Sequence, residues 1–598
     1  TPNTDCFPSE AEWKSLNTSL HGALIAAVPP ASVCYPSSPF HDFNETLCAF
    51  VASQWLNSSF HAANPISIDY PIWANNSCNP IFANGSSITG DPGAEAEGCS
   101  LGAGGGGRGI GGGYPYYVVN ASSAEQISTA LKWAGKTGVR VVIKNTGHNF
   151  PGRSTGWGSL SIWTHNLKSF QLHKSWKPSD CPSDTPAQMA ATVSAGMQDF
   201  EVYALSNKSG AIVVGGSNPT VGLAGWMQGG GHGPLSSSYG MGSDNLLEAT
   251  VVLASGEIVT ANAFQHQDLY WALRGGGGGT FGVITQAVVK AFPTPKSNVF
   301  ILNIAQTKVN PNTTTAFYDL MAQLHHEFIA WKTAGLQGYY GIVGPPASPG
   351  LYFMGGWYFY DKPASFANDT FASFKKTLDQ TVAEGWLFYN TTILEAPTFY
   401  DMWYPPGPEP VATGGSDFGS RLLSTSSLSE DLDLVARTLQ YVGPKTDGSS
   451  PVRNNFVIGH MIANSANRNL DTALNPAWRD AVVHLITTEG WVDGSPESEI
   501  NDVYNDITYN RTRALRQLAP DSGAYFNEPD VFEPDWQYTF FGKNYPKLRD
   551  IKKKYDPNGL FWCRSCVGSE DWVEQSDGKL CQVPWTEDGC SRGRKYEL

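Results

Sequence analysis

Residues 141–154 read VVIKNTGHNFPGRS. A β-branched apolar run passes without a break into a loop that carries Gly147, Pro151 and Gly152. Short uninterrupted apolar runs suit a strand buried on both faces, so Val139–Lys144 is expected to be one. Glycines directly after such a strand let consecutive backbone N–H groups turn toward one anion, which suits a pyrophosphate. His148 stands at the centre of this loop. Upstream, Tyr116–Asn120 reads as a strand. Ala124–Thr137 reads as an amphipathic helix, entered through Ser122-Ser123-Ala124-Glu125 with the spacing of a capping box. Strand, helix and strand within about 30 residues form a βαβ-type unit.

A second glycine cluster, Gly215–Gly233 (GGSNPTVGLAGWMQGGGHG), has eight glycines in nineteen residues. Val221, Leu223, Trp226 and Met227 are interleaved, which a solvated linker would not need. Backbone is expected to approach another group closely there. Rival motifs lack their context. Gly102-x-Gly104-x-x-Gly107 has no strand before it and no helix after it. Arg274–Gly279 follows a helix-like Gln267–Leu273, in the wrong order. His326-Glu327 lacks the second His of a zincin. The Cys563/Cys566 and Cys581/Cys590 spacings do not make a zinc ribbon, so no residue is assigned as a metal ligand.

Further strands are expected at Ala191–Ala195 and Ala211–Gly215, with a helix at Met197–Asn207 between them. Leu246–Leu253 and Glu257–Ala261 read as a hairpin, and Gly282–Ala291 as a strand. Beyond residue 293 the texture changes. Asn298–Gln306, Gln337–Val343, Leu351–Tyr360 and Asn455–Ile462 read as strands. Thr314–Lys332, Ala364–Gly385, Pro476–Thr488 and Ser495–Leu518 read as helices, the last with Ser495 as N-cap. The fold class is α+β, and this second part is a domain with an antiparallel sheet and helices on one face.

The net charge is −15, which disfavours nucleic acid and anionic membranes as partners. No uncharged apolar run approaches the roughly 18 residues of a membrane span. The ten cysteines, at 6, 34, 48, 78, 99, 181, 563, 566, 581 and 590, cluster toward the ends, and all are expected to pair. N-x-[ST] triplets start at Asn17, Asn44, Asn57, Asn75, Asn84, Asn120, Asn207, Asn312, Asn368, Asn390 and Asn510. With the missing initiator Met, these features point to a processed, secreted monomer bearing N-linked glycans.

Lys144–Ser154, Gly215–Gly233, Tyr239–Asn245 (YGMGSDN), Asp268–Gly282 (DLYWALRGGGGGTFG) and Tyr555–Phe561 (YDPNGLF) resemble the vanillyl-alcohol-oxidase-type (PCMH-type) FAD flavoproteins. Within these, the chain is most similar to the berberine-bridge-enzyme-like oxidases in a fungal secreted form. The resemblance runs from about Tyr114 to Trp562. It implies an FAD-binding domain of two subdomains at 114–293, a substrate domain at 294–518, and a return to the FAD domain at 519–566. Residues 1–113 remain an irregular Cys- and Asn-rich segment, and 567–598 a Cys-containing tail.

The resemblance places FAD against Lys144, Asn145, Thr146, Gly147, His148, Asn149 and Ser154 of the first loop. In the second cluster it implicates Val221, Gly222, Gly225, Gly229, Gly230, Gly231 and His232. Asp244, Asn245, Gly282, Val283 and Asn527 complete the cofactor set. His148 matches the His that bonds the flavin 8α-methyl carbon. Asn218 stands where many relatives carry a second, cysteinyl link, so a single attachment is expected. Ala463 falls where plant relatives carry a carboxylate base. Tyr525-Phe526-Asn527-Glu528 places Glu528 at the second Tyr of the Y-x-N-Y motif of sugar oxidases. Glu528 is therefore the candidate base, with a raised pKa expected beside an apolar flavin face. His460, Tyr525, Tyr358 and Tyr360 are the lesser candidates. The implied activity is an oxidase that takes a hydride from an alcohol or carbohydrate and passes the electrons to O2. The alternative is an FAD-dependent dehydrogenase or oxidative cyclase of secondary metabolism.

Overall fold

A computed structural model describes residues 7–70, 77–102, 113–403, 411, 415–446, 456–574 and 580–583. The first sheet holds β1 (Leu24–Ala26), β2 (Tyr117–Asn120), β3 (Val141–Lys144) and β4 (Leu160–Trp163) in the order β1-β2-β4-β3. β2 and β3 both run parallel to β4, and β1 is antiparallel to β2. The helix Ala124–Thr137 crosses from β2 to β3. Ser123 accepts the Gln126 N–H at its N-terminus, and Gly138 at φ +70° ends it. Its buried face of Ile127, Ala130, Leu131 and Ala134 packs on Val119, Val141, Leu160 and Ile162.

The N-terminal segment is more ordered than its composition suggests. The helix Glu10–Ser19 sends Trp13 and Leu16 into that same core, and β1 extends the sheet. Disulfides Cys34–Cys48 and Cys78–Cys99 staple the rest. A third, Cys563–Cys566, replaces any zinc reading of that pair. Cys181 and Cys581 have no disulfide partner among the described residues, so pairing holds for six cysteines. Cys6, Cys590, Asn75 and most of the glycine tract (103–112) lie outside the described residues.

The second sheet comprises β5 (Phe170–Trp176), β6 (Gln188–Ser194), β7 (Ala211–Val213), β8 (Leu246–Val252), β9 (Ile258–Asn262) and β10 (Val283–Pro293). β10 pairs with β6, β7 and β8, and the β8–β9 hairpin forms as expected. The chain returns at its C-terminal end to this half of the molecule. Val141 N–H donates to the Leu560 carbonyl at 3.1 Å, and Val141 bridges Phe561 in parallel.

The third sheet is antiparallel throughout. It comprises β11 (Ser297–Gln306), β12 (Gln337–Val343), β13 (Tyr352–Tyr360), β14 (Leu387–Ala396), β15 (Gly415–Ser424), β16 (Val457–Met461) and β17 (Ala481–Trp491). The order is β14-β11-β13-β12-β16-β17-β15. Helices Pro311–Ala334, Ser365–Ala383, Leu432–Val442 and Thr512–Leu518 pack on one face, through a core that includes Phe300, Tyr340, Trp357, Met461, Val483 and Leu485.

Two helix expectations fail here. Pro476–Thr488 is a short turn at Pro476–Arg479 followed by β17. The run AVVHLITTEGW is rich in β-branched residues, and every one of its residues is buried, so it lacks the solvated face that would betray a strand. The helix expected over Ser495–Leu518 is Glu497–Asn505, a wider π-type stretch at Asp506–Arg511, and Thr512–Leu518, with Pro496 rather than Ser495 at the N-cap. Among the described residues no helix is long and apolar enough to cross a membrane.

Candidate functional site

The loop after β3 is clamped by the N-terminal segment. Gly147 adopts φ +86°, and a Cβ there would stand 2.8 Å from the Ser67 carbonyl oxygen. Only glycine meets both demands. The Asp69 N–H donates to the Gly147 carbonyl at 3.2 Å, and the Asp69 carboxylate lies 4.0 Å from His148 Nε2. Lys144 is turned toward the N-terminal segment. Its buried ammonium donates to the carbonyls of Asn64, His61 and Ala62 at 2.8, 3.3 and 3.4 Å, and burial pushes its pKa down to about 7. Asn149 is also structural, since its Oδ1 accepts the Arg153 N–H at 2.9 Å and closes the turn.

The second glycine cluster meets the first at His148. Asn218 Nδ2 is 3.3 Å from His148 Nε2. A Cβ on Gly222 would be 2.4 Å from Asn145 Nδ2, and one on Gly229 would be 2.5 Å from the Asn527 amide. Val221 accepts the Asp199 N–H at 3.0 Å. The Asp199 carboxylate accepts the Gly216 N–H at 2.6 Å, and burial pushes its pKa up to about 8. Other expected site residues have different work. Asp244 makes a two-pronged ion pair with Arg479 at 2.7 Å, joining the first half of the molecule to the third-sheet half. Asn245 donates to the carbonyls of Tyr239, Gly240 and Met241. Val283 pairs with Val252 in the sheet, directly after Gly282.

The face of the third sheet opposite its helices carries a row of side chains. Tyr339 on β12 pairs across to His460 on β16, and His460 pairs across to His484 on β17. Strand alternation sends Tyr340, Met461, Val483 and Leu485 to the helices and these three residues the other way. Glu528 reaches this row from beyond the helix Thr512–Leu518, and His232 from the glycine cluster. His232 Nε2 lies 3.2 Å from Glu528 Oε1 and 3.3 Å from Oε2. His460 Nδ1 and His484 Nδ1 are each 3.6 Å from Glu528 Oε2 and 3.3 Å from each other.

Burial drives the pKa values of His460 and His484 well below the usual histidine range. Burial also acts to raise Glu528, but His232 beside it holds the carboxyl below the ordinary value. The raised pKa expected for Glu528 is therefore wrong: the neighbourhood is imidazole-rich, not apolar. Tyr525 stands edge-on to His232 with centroids 5.0 Å apart, accepts from Asn527 Nδ2 at 2.6 Å, and is raised by burial. The Tyr360 hydroxyl is spent on the Pro234 carbonyl, and Tyr358 lies half-buried on β13. A cavity of about 700 Å³ lined by Phe7, Trp157, Tyr555 and Trp572 contains none of these residues.

Comparison with known proteins fits this two-sided site. An FAD binding domain family matches residues 115–262, and the family described as berberine and berberine-like matches 524–567. An FAD-linked oxidoreductase of Gibberella zeae is 32% identical over 596 residues, 97% of this chain and 94% of its own. The chain belongs to the VAO-type, berberine-bridge-like FAD oxidoreductases. A VAO-type flavoprotein oxidase of Thermothelomyces thermophilus is 31% identical over 97% of this oxidoreductase and 95% of its own length. The crystal structure of a VAO-type flavoprotein from Myceliophthora thermophila C1 matches with a TM-score of 0.87 and 29% identity, over 98% of this chain and 99% of that one. The N-terminal segment is thus shared with these relatives. A glucooligosaccharide oxidase of Acremonium strictum, with 6-S-cysteinyl, 8α-N1-histidyl FAD, shares the fold at 21% identity and a TM-score of 0.58, over 76% of this chain and 92% of its own.

The residues of this flavoprotein fit the cofactor. Among the described residues, Asn145 Oδ1, Arg153 Nε and Nη1, Ser154 Oγ, Thr220 Oγ1 and Gln228 Oε1 are buried without a protein partner. All five belong to the two glycine segments. Buried polar groups of this density call for a polar ligand. Arg153 was not foreseen as a site residue. Its guanidinium lies 3.6 Å over the Phe526 ring and donates to Asn527 Oδ1 at 2.5 Å. Asp69, Asp199, Tyr339 and His484 were also missed. For His484 the alternation of Val483, His484 and Leu485 was the available signal.

Proposed function

We propose that this FAD-dependent oxidoreductase is a secreted oxidase that carries FAD on His148 at a single atom. It takes a hydride from a C–H bond of an alcohol or carbohydrate-like substrate and passes the electrons to O2 as H2O2. The observation that carries this reading is the meeting of two devices in one place. His148 lies within electrostatic reach of Glu528, which is the centre of the imidazole cluster. Bound FAD supplies the hydride acceptor and its reoxidation by O2. The loop backbone around Gly147 and the unpartnered groups of Asn145, Arg153 and Ser154 would hold it. Asp69, 4.0 Å from Nε2 of His148, would hold the ring proton on that side and leave the other ring nitrogen free to bond the 8α-methyl carbon. Asn218 supports attachment at one atom, since an amide at that place forms no thioether.

On the substrate side the ionised Glu528 accepts the hydroxyl proton as the C–H bond yields its hydride, leaving a carbonyl product. His232 fixes the carboxylate at 3.2 Å. Tyr525 and Trp478 wall the cluster. The test is anaerobic mixing with a panel of alcohols and oligosaccharides, then admission of O2. Bleaching of the flavin band followed by stoichiometric H2O2 supports the oxidase. Bleaching without reaction with O2 selects a dehydrogenase or oxidative cyclase. A mass shift on endoglycosidase treatment of protein from a native-type host tests the glycans and secretion.

A further inference from the structure

His232, His460, His484 and Glu528 offer four ligand atoms that all lie within 4.8 Å of one another. We propose that this cluster is a binding site for one divalent transition-metal ion of the zinc class, held by the three imidazoles, with Glu528 on its open side.

The distances suit a coordination shell around one ion. Only His232 approaches Glu528 closely enough to donate to it, at 3.2 Å. The 3.6 Å separations from His460 Nδ1 and His484 Nδ1 to the carboxylate are too long for hydrogen bonds. Ligand bonds of about 2.0–2.2 Å in a tetrahedron place neighbouring ligand atoms roughly 3.3–3.6 Å apart. Taken through Glu528 Oε2, the separations of 3.3, 3.6 and 3.6 Å to the three imidazoles and 3.3 Å between His460 and His484 match four of the six edges, and all four ligand atoms lie within 4.8 Å of one another.

The frame is rigid. His460 and His484 face each other in register on adjacent antiparallel strands, so their spacing is set by the sheet. Both rings are buried and bring their Nδ1 atoms within 3.3 Å of each other, so two lone pairs can converge on one ion. Tyr339 Oη, 3.5 Å from His232 Nδ1, is placed to orient that ring from behind. Imidazole and carboxylate donors select zinc, cobalt, nickel or copper over magnesium and calcium. At 29% side-chain exposure Glu528 is the most accessible of the four. It marks the side on which a substrate oxygen would enter the shell, beside the proton acceptor.

The inference deepens the proposed site, but its test is independent of turnover. The holoenzyme is stripped with a chelator and titrated with ZnCl2 by calorimetry, and the metal content after desalting is measured. X-ray absorption at the zinc edge reports the donors. The expected result is about one tightly held zinc per chain with three imidazoles in the shell. His460→Asn and Glu528→Gln, which keep polar groups of similar size, should weaken binding, the His change by at least about 100-fold and the Glu change less. His484→Ala is a third variant, tested only if it retains flavin. No retained zinc in the parent holoenzyme, or zinc whose affinity His460→Asn leaves unchanged, overturns the proposal. A flavin-free protein that still binds zinc through imidazoles would sink the flavin reading and leave this one standing.

Discussion

The two sides of the site are built by different physics. On the cofactor side, backbone does the work: two glycine loops approach so closely that a single Cβ at Gly222 would lie 2.4 Å from Asn145. At the imidazole cluster, where we propose that the substrate binds, side chains do the work. Tyr339, His460 and His484 stand in a row on three neighbouring strands that are distant in sequence. The first depends on local chain conformation, the second on strand pairing. Damage to the loops should therefore cost the cofactor, while damage to the row should cost the chemistry and spare the cofactor.

The sharpest break of that contrast is His148→Ala. Flavin retained in the acid-precipitated pellet should fall to none, while His460→Asn should retain it fully. Colour in the His148→Ala pellet would move the attachment elsewhere. Next comes Gly222→Ala. Its Cβ must displace Asn145, at a cost of about 1–3 kcal/mol of overpacking, and flavin occupancy should drop roughly tenfold. Full occupancy, read from the ratio of flavin to protein absorbance, would mean that the loop yields more easily than the geometry implies. On the other side, His232→Asn removes the close partner of Glu528. Flavin reduction should slow by about tenfold with the flavin still attached. Loss of flavin instead would erase the distinction between the two sides.

The smallest effect concerns Asp199, buried between the loops. Its folded pKa, about 8, lies above the unfolded value, so the folded state holds the proton more tightly. Its contribution to stability is complete below about pH 4 and declines as pH rises toward 8. Asp199→Asn removes that decline. Its melting temperature should gain on the parent by a few degrees between pH 4 and pH 8. A difference that does not change with pH would show that Asp199 is already ionised.

The same contrast governs what could be read from sequence. The helix Ala124–Thr137, β3 and its loop were legible because capping residues, a β-branched run and clustered glycines are local signals. His148 stands out at the centre of that loop, while Asn145 and Ser154 were named only through the family resemblance that the motifs carry. Lys144 and Asp244 belong to the same motifs, yet their charges are spent on the carbonyls of residues 61–64 and on Arg479. A motif does not show which partner arrives from afar. Asp69 was illegible for that reason, since it reaches His148 from a segment outside every motif. His484 was lost with its strand: reading Pro476–Thr488 as a helix removed it from the row beside His460. Glu528 was singled out by its motif position, but its imidazole surroundings were not legible, and its pKa was expected to move the other way.

The central claim is that the flavin anchored through one loop is served by a carboxylate delivered to the imidazole row. Single-turnover reduction of the anaerobic holoenzyme by its best substrate, parent against Glu528→Gln, tests it most directly. The account predicts a loss of roughly 10²–10⁴-fold in the reduction rate with the flavin still covalently bound. Reduction at the parental rate would contradict it and remove Glu528 from the chemistry.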